Sequence, residues 1–536
     1  MPTVREVAFE LLRAHGMTTV FGNPGSTELP MLADFPDDFR YVLGLQELVV
    51  VGMADGFAQA SGRVAHVNLH TAPGVGNAIG GIANAQANRA PLLITAGQQV
   101  RAQIAIEANL TNREATLGPL PYVKWSHEPP RAEDVPYVLA RAIALAKLPP
   151  RGPVFVSIPM DDWAKEAEGD RSRHALARDV APAAGPDRQA LERLAQRLNA
   201  AASPALVAGP EIDAAGGWRA AVALVEAQRM AVWATPATGG GRIGFPEDHP
   251  YFQGVLPPAI GAISQVLEGH DLILVAGSAV FPYYPYLPGP LLPDGAELVL
   301  LTNDPGEAAR APMGEAMLGD LAAALSSLGA LAGASGRQAP SARPAPGEPQ
   351  RCEEPGRLSG SQAMAALAAA WPDDGIVVLE APSATLALRN RLRLSRPGSY
   401  FLSASGGLGF GIAAAVGVAL AQPQRPVVCV LGEGSAQYGI TALWTAAAYR
   451  VPVTFLVLRN DEYAILKWFA ALEQVAGAPG LDLPGLDVAA IARAYGVPAR
   501  EVTDAAALRD ALAQDIAAHD GPRLIQVPVA SGMWLE

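Results

Sequence analysis

Cysteine is nearly missing from this chain of 536 residues: Cys352 and Cys429 are the only two, too few for a disulfide framework. Cys429 lies inside an apolar run and reads as core filler. Charge is also sparse, at 17% of residues; with half of the chain hydrophobic, large buried cores are within reach. Of the two signs, the basic one is scarcer. Lys and Arg number 39 against 52 Asp and Glu, and the net charge of -13 argues against nucleic-acid binding. A small anionic substrate stays open, because local donors would hold it. No apolar run reaches the ~18 residues of a membrane span. The start of the chain lacks a basic region followed by an apolar core, so no secretory signal is expected. These absences leave a cytoplasmic, enzyme-like protein as the expectation.

What is present is alternation. Residues 4–15 read as a helix with Val7, Ala8, Leu11 and Leu12 on one face, ended by Gly16. Strands are expected at 18–21, 41–45, 64–69, 91–96 and 154–158, with a helical pattern over 47–59. A second block carries strands at 205–208, 231–234, 272–275 and 297–301. A third carries them at 375–379, 427–431, 453–458 and 523–527. Strand alternating with helix predicts an α/β chain of three doubly wound parallel-sheet domains, each sheet covered on both faces. The domains are placed at 1–165, 188–334 and 359–536. The charged, Ala/Pro-rich stretch 166–187 and the Pro/Ala/Ser/Gly-rich stretch 335–358 are read as linkers, the second extended and exposed.

The most informative stretch is 427–466. A strand ends in Gly432-Glu433-Gly434-Ser435, a helical segment follows, and a second strand ends in Arg459-Asn460-Asp461-Glu462-Tyr463. This is a βαβ unit with a polar cluster at the carboxyl ends of its strands, where open α/β sheets bind ligands. Gly432 and Gly434 let the backbone come close to a ligand. Glu433 offers an anionic oxygen, Asn460 a neutral one, and a backbone carbonyl near Glu462 a third. Such oxygens suit a hard cation such as Mg²⁺, and the helix N-terminus after Gly434 favours a diphosphate. The competing reading is an ordinary βα turn.

Three further polar residues end successive strands of the first block: Ser26, Glu47 and His70. Each has a plain explanation. Ser26 reads equally as a helix N-cap, Glu47 as a first-turn carboxylate, and His70 as a hydrogen-bonded core histidine. Their convergence at one sheet edge points instead to a site.

The phrases Val20-Phe21-Gly22-Asn23-Pro24-Gly25-Ser26, Leu45-Gln46-Glu47 and Asn68-Leu69-His70 resemble the pyrimidine-binding domain of thiamin diphosphate enzymes. The 427–466 unit resembles their diphosphate motif, G-D-G followed by N-N. Further phrases, among them Gly406-Gly407-Leu408-Gly409-Phe410 and Ala442-Leu443-Trp444-Thr445, extend the likeness over essentially the whole chain. It is nearest to the benzoylformate decarboxylase branch of the 2-oxo acid decarboxylases. Three departures stand out. Glu433 replaces the motif's Asp, Arg459 replaces its first Asn, and Tyr284 falls where the branch carries a second catalytic histidine. A phenol donates a hydrogen bond but does not trade protons near neutrality as an imidazole does.

The resemblance implies thiamin diphosphate with Mg²⁺, or Ca²⁺ in its place, and the first, second and third domains as pyrimidine-binding, central and diphosphate-binding. It implies coenzyme contacts at Glu47, Gly406, Leu408, Gly432, Glu433, Gly434, Ser435, Asn460 and Tyr463, and a metal held at Glu433, Asn460 and Glu462. Glu47 would hydrogen-bond the aminopyrimidine, and Leu408 would hold the coenzyme bent. Ser26 would bind the substrate carboxylate, His70 would move protons, and Tyr284 would take the second histidine's place. Leu110, Leu402, Leu466 and Phe469, with Ser26, would line a pocket for an aromatic or bulky 2-oxo acid. The implied activity is non-oxidative decarboxylation to the aldehyde and CO2, in a homotetramer with sites between subunits. Alternatives are an acetolactate synthase-like carboligase, which in that group often carries FAD, and a non-catalytic cofactor-binding homologue.

Overall fold

The structure, a computed structural model, describes residues 1–181, 185–236, 241–281 and 284–534. Buried strands form the middle of three six-stranded parallel sheets. The first holds β1 (Thr19–Gly22), β2 (Arg40–Leu43), β3 (Ala65–Leu69), β4 (Leu92–Gln98), β5 (Ser126–His127) and β6 (Val154–Pro159), in the order β2-β1-β3-β4-β6-β5. The second holds β7 (Pro204–Ala208), β8 (Ala231–Ala234), β9 (Phe252–Val255), β10 (Leu272–Ala276), β11 (Glu297–Thr302) and β12 (Glu315–Leu318), ordered β12-β11-β10-β7-β8-β9. This is the dinucleotide-fold order. The third holds β13 (Ile376–Glu380), β14 (Tyr400–Leu402), β15 (Val427–Gly432), β16 (Val453–Arg459), β17 (Ala499–Glu501) and β18 (Arg523–Pro528). Its order, β14-β13-β15-β16-β18-β17, repeats the topology of the first sheet.

The three-sheet α/β architecture agrees with the expectation. The strands that the sequence did not announce, β5, β9, β12, β14 and β17, all lie at sheet edges. Edge strands are short and half solvated, so β12 (Glu-Ala-Met-Leu, mostly exposed) and β17 (Ala-Arg-Glu) carry no continuous apolar run. The stretch 166–187, read as a linker, contains the helix Gly169–Leu176, which buries Ser172 and Ala175. Its small residues let it lie on the first domain's core, where Ala167 and Ala175 join the helix Val4–Ala14. Residues 335–358 carry no helix or strand but are not free. Arg337 donates to the carbonyls of Leu198, Ala201 and Gln228.

One helix pair joins the first and third domains. The helix Glu47–Ser61 lies along the helix Gly411–Ala421, and both bury nearly all their side chains in a common core. Small residues make the approach possible. A Cβ on Gly52 would sit 2.8 Å from the Ala413 Cβ, one on Gly56 2.7 Å from the Ala414 Cα, and one on Gly417 2.8 Å from the Met53 carbonyl carbon. A Cβ on Gly409 would meet the Leu48 side chain. The contacts climb both helices in the same direction, from Leu48 at Gly409 to Met53 and Phe57 at Gly417, so the helices run parallel. No helix among the described residues is long and apolar enough to cross a membrane.

Candidate active site

The carboxyl ends of β13, β15 and β16 open on a cavity of about 1320 Å³. Gly432 ends β15 and Glu433, Gly434 and Ser435 follow it, while Asn460, Glu462 and Tyr463 follow β16; all of them line it. Glu433 is buried, and its Oε1 accepts from the backbone N–H of Asn460 (3.2 Å) and Asp461 (2.6 Å). Burial pushes its carboxyl above the ordinary range, and no cationic side chain among the described residues pairs with it. An acid buried without a countercharge suits a bound cation. Asn460 is buried too, its Oδ1 accepting from the Glu462 N–H at 3.3 Å. The Glu462 side chain is committed elsewhere: Oε1 accepts from the Gly532 N–H at 2.8 Å and Oε2 pairs with Lys467. Its carbonyl, not its carboxylate, is the donor left for a metal. Among the described residues no three His, Cys, Asp or Glu side chains form a metal-holding group; the donors here are one carboxylate, one amide and main chain. A Cβ on Gly434 would lie 2.6 Å from the Tyr463 ring, so a side chain there would have to push that ring aside.

Leu408 also lines this cavity, on a loop between Gly406 (φ +73°) and Gly409 (φ +97°). Asn84 donates to the Gly407 carbonyl (3.2 Å) and bonds the Ser405 hydroxyl. The Asn88 amide oxygen accepts from the Ala404 N–H at 2.8 Å. Asn88 is itself aimed by its donation to Asp55, 2.7 Å away. Leu402, at the end of β14, and Leu466 and Phe469, on the helix Ala464–Leu472, border the same space. Tyr284 stands at its mouth, 60% exposed, its ring 4.9 Å from that of Phe469. Pro282 and Tyr283 of the same segment lie outside the described residues.

Glu47, His70, Ser26 and Leu110 do not line this cavity. Glu47, His70 and Ser26 belong to a second cluster, at the carboxyl ends of β1, β2 and β3. Glu47 opens its helix, but its oxygens accept from Asn23 Nδ2 and Asn77 Nδ2, both at 3.1 Å, rather than serving as a cap. Gln46 is the cap. Ser26 is exposed and caps nothing; the short helix Leu29–Leu32 has no side-chain cap. His70 is no core histidine. Its Nδ1 faces Glu28 Oε2 at 2.8 Å and Thr27 Oγ1 at 3.0 Å, so Nε2 is the nitrogen turned away from them.

Glu28 is the residue that the sequence reading missed. It is fully buried and also accepts from the N–H groups of Gly25 (2.8 Å) and Gly97 (2.9 Å), so the imidazole is held in one orientation. An acid two residues after Ser26, on the same loop, was the available signal. The next residue after His70, Thr71, is β-branched yet sits at φ +34°, the kind of backbone strain that collects at functional sites.

The comparisons with known proteins agree along the chain. The domain family described as thiamine pyrophosphate enzyme, N-terminal TPP binding domain, matches residues 2–116. The central domain of the same enzymes matches 191–328, and their C-terminal TPP binding domain 383–527. A benzoylformate decarboxylase of Pseudomonas aeruginosa is 53% identical over 528 residues, covering 98% of this chain and 99% of that one. A solved thiamine diphosphate-dependent 4-hydroxybenzoylformate decarboxylase of Rhodococcus jostii RHA1 superposes with a TM-score of 0.95 at 46% identity, covering 100% of both chains. The crystal structure of benzoylformate decarboxylase from Polynucleobacter necessarius gives 0.95 at 40% identity, again over 100% of each.

Proposed function

Because this chain belongs to the thiamine pyrophosphate enzymes, alongside the benzoylformate decarboxylases, we propose that it decarboxylates an aromatic 2-oxo acid of the benzoylformate kind. The products are the aldehyde and CO2. The observation that carries the reading is Glu433, buried beside Asn460 at the carboxyl ends of β15 and β16 with no cationic side chain among the described residues paired to it. Glu433, Asn460 and the Glu462 carbonyl would hold Mg²⁺, or Ca²⁺ in its place. Gly432, Gly434 and Ser435 would lie against the diphosphate. When bound, thiamin diphosphate supplies the thiazolium that accepts the electron pair left as CO2 departs.

The chain's own groups do the rest. Glu47, aimed by Asn23 and Asn77, hydrogen-bonds the pyrimidine end. His70, fixed through Nδ1 by Glu28, holds and delivers a proton at Nε2. Ser26 binds the substrate carboxylate. Tyr284 donates a hydrogen bond where proton exchange would need an imidazole, so proton delivery falls more heavily on His70. Leu402, Leu466 and Phe469 give the aryl group an apolar wall and keep water from the reacting centre.

The two clusters work together when the first domain of one copy covers the cavity of another, in a dimer that pairs again to a homotetramer. Supporting this, Leu29, Leu45, Ile106, Leu117 and Leu120 of the first domain and Tyr438 and Leu466 of the third are all exposed in the single chain. The central sheet argues against a flavin there. At its crevice, Arg89 pairs with Glu211, Asp304 and Glu307, and three carboxylates are poor company for a second diphosphate.

The test is CO2 release from a panel of aryl and alkyl 2-oxo acids, with and without thiamin diphosphate and Mg²⁺. Turnover of aryl acids that needs both additions is expected. Glu47→Gln should lower kcat by about 100-fold or more; activity close to wild type would remove Glu47 from the site.

A further inference from the structure

We propose that Glu380 is a positioning residue for the Leu408 loop, capping from another element the helix that this loop feeds. Glu380 is the last residue of β13, and its register partner on β15 is Leu431, so it stands in the crevice where the third sheet reverses its winding. Its Oε1 accepts from the Phe410 N–H at 2.9 Å. The N–H groups of Gly409 and Gly411 face the same carboxyl.

The helix Gly411–Ala421 needs this help. Phe410 occupies its N-cap position and has no side-chain oxygen to offer the free N–H groups. The fit is close: a Cβ on Gly411 would lie 2.7 Å from the Glu380 Cβ. The loop 404–410 is therefore fastened at one end by Asn84 and Asn88 from the first domain, and at the other by Glu380 from the third.

The second oxygen of Glu380 is buried with no hydrogen-bond partner. An orphaned acid oxygen destabilises the fold, and alanine or leucine there would avoid that cost; what the acid adds is the hold on the loop. Burial pushes its carboxyl up to about 8, so it is largely neutral near pH 7. Glutamine then reproduces both its shape and its charge. The other titratable group alongside is Cys429, buried on β15.

The inference rests on the reading that Leu408 meets the coenzyme, and its test separates the two. Amide exchange at residues 409–411 is measured on the full chain without coenzyme, beside steady-state kinetics with thiamin diphosphate and Mg²⁺. Glu380→Ala should speed exchange at 409–411 and lower kcat by about 10–100-fold. The KM for the 2-oxo acid should stay within about threefold, because the substrate wall is untouched. Glu380→Gln should restore protection and kcat to within about threefold of wild type. If the alanine variant does not fold, Glu380→Asp, one methylene short of Phe410, should show the same split. Wild-type exchange and kcat in the alanine or aspartate variant, or a glutamine variant as impaired as alanine, would overturn the proposal. If wild type shows no coenzyme-dependent turnover, the functional reading fails and exchange alone decides the clamp.

Discussion

Asp55 and Glu380 are acids that folding takes out of water, and burial raises both, Asp55 to about 7 and Glu380 to about 8. Asp55 accepts from Gln59 and Asn88, which only partly offsets the cost of the charge. Each binds a proton in the folded chain that the unfolded chain has already released. Their contribution to stability is complete below about pH 4 and is lost as pH rises through about 7 to 8. Thermal melts from pH 5 to 8 should show the gap in Tm between wild type and Asp55→Asn moving in the variant's favour as pH rises. A gap that does not change with pH would mean that Asp55 is charged throughout. Glu28 teaches a different lesson. Ser26 and His70 were legible as strand-end residues, whereas Glu28 acts by facing a histidine from another strand, and that pairing exists only after the sheet forms.

Among elements, legibility followed burial. Strands buried on both faces write long apolar runs, so β3, β4, β10, β15 and β16 could be read to within a few residues. The edge strands β12 and β17 owe their shape to a neighbour and left no such run. The helix pair that joins the outer domains shows the reverse case. Its glycines looked unremarkable in sequence, yet Gly52, Gly56 and Gly417 set how closely the two helices approach. Gly56→Ala places a methyl on the Ala414 backbone and should cost about 1–3 kcal/mol or more by overpacking. Gly76→Ala, in open space on the helix Thr71–Ala87, should be neutral or gain up to ~1 kcal/mol from helix propensity. Denaturant unfolding of the two variants checks the contrast; equal effects would mean that the helices have room to part.

Across subunits, the division of site residues into two clusters makes a sharp expectation. Glu47→Gln and Glu433→Ala should each be inactive alone. If the site takes Glu47 from one copy and Glu433 from another, a mixed dimer retains one intact site of its two. Co-refolding equal amounts should then recover about a quarter of wild-type activity. No recovery, with hybrids demonstrated by mass, would place both groups in one chain.

The parallel helix pair works as a ruler. Leu48 meets Gly409, Gly52 meets Ala413, and Gly417 meets the turn between Met53 and Phe57, while Gln422 closes the far end on the Ala60 carbonyl at 2.7 Å. A slip of one turn would drive Met53 or Phe57 into space that only a hydrogen now fills. Within one chain, the offset of the first domain against the third is thus graduated into the backbone before any ligand arrives. On the proposed function, adaptation to new acids falls to the side chains that border the cavity, where Tyr284, Leu466 and Phe469 would change without moving that scale.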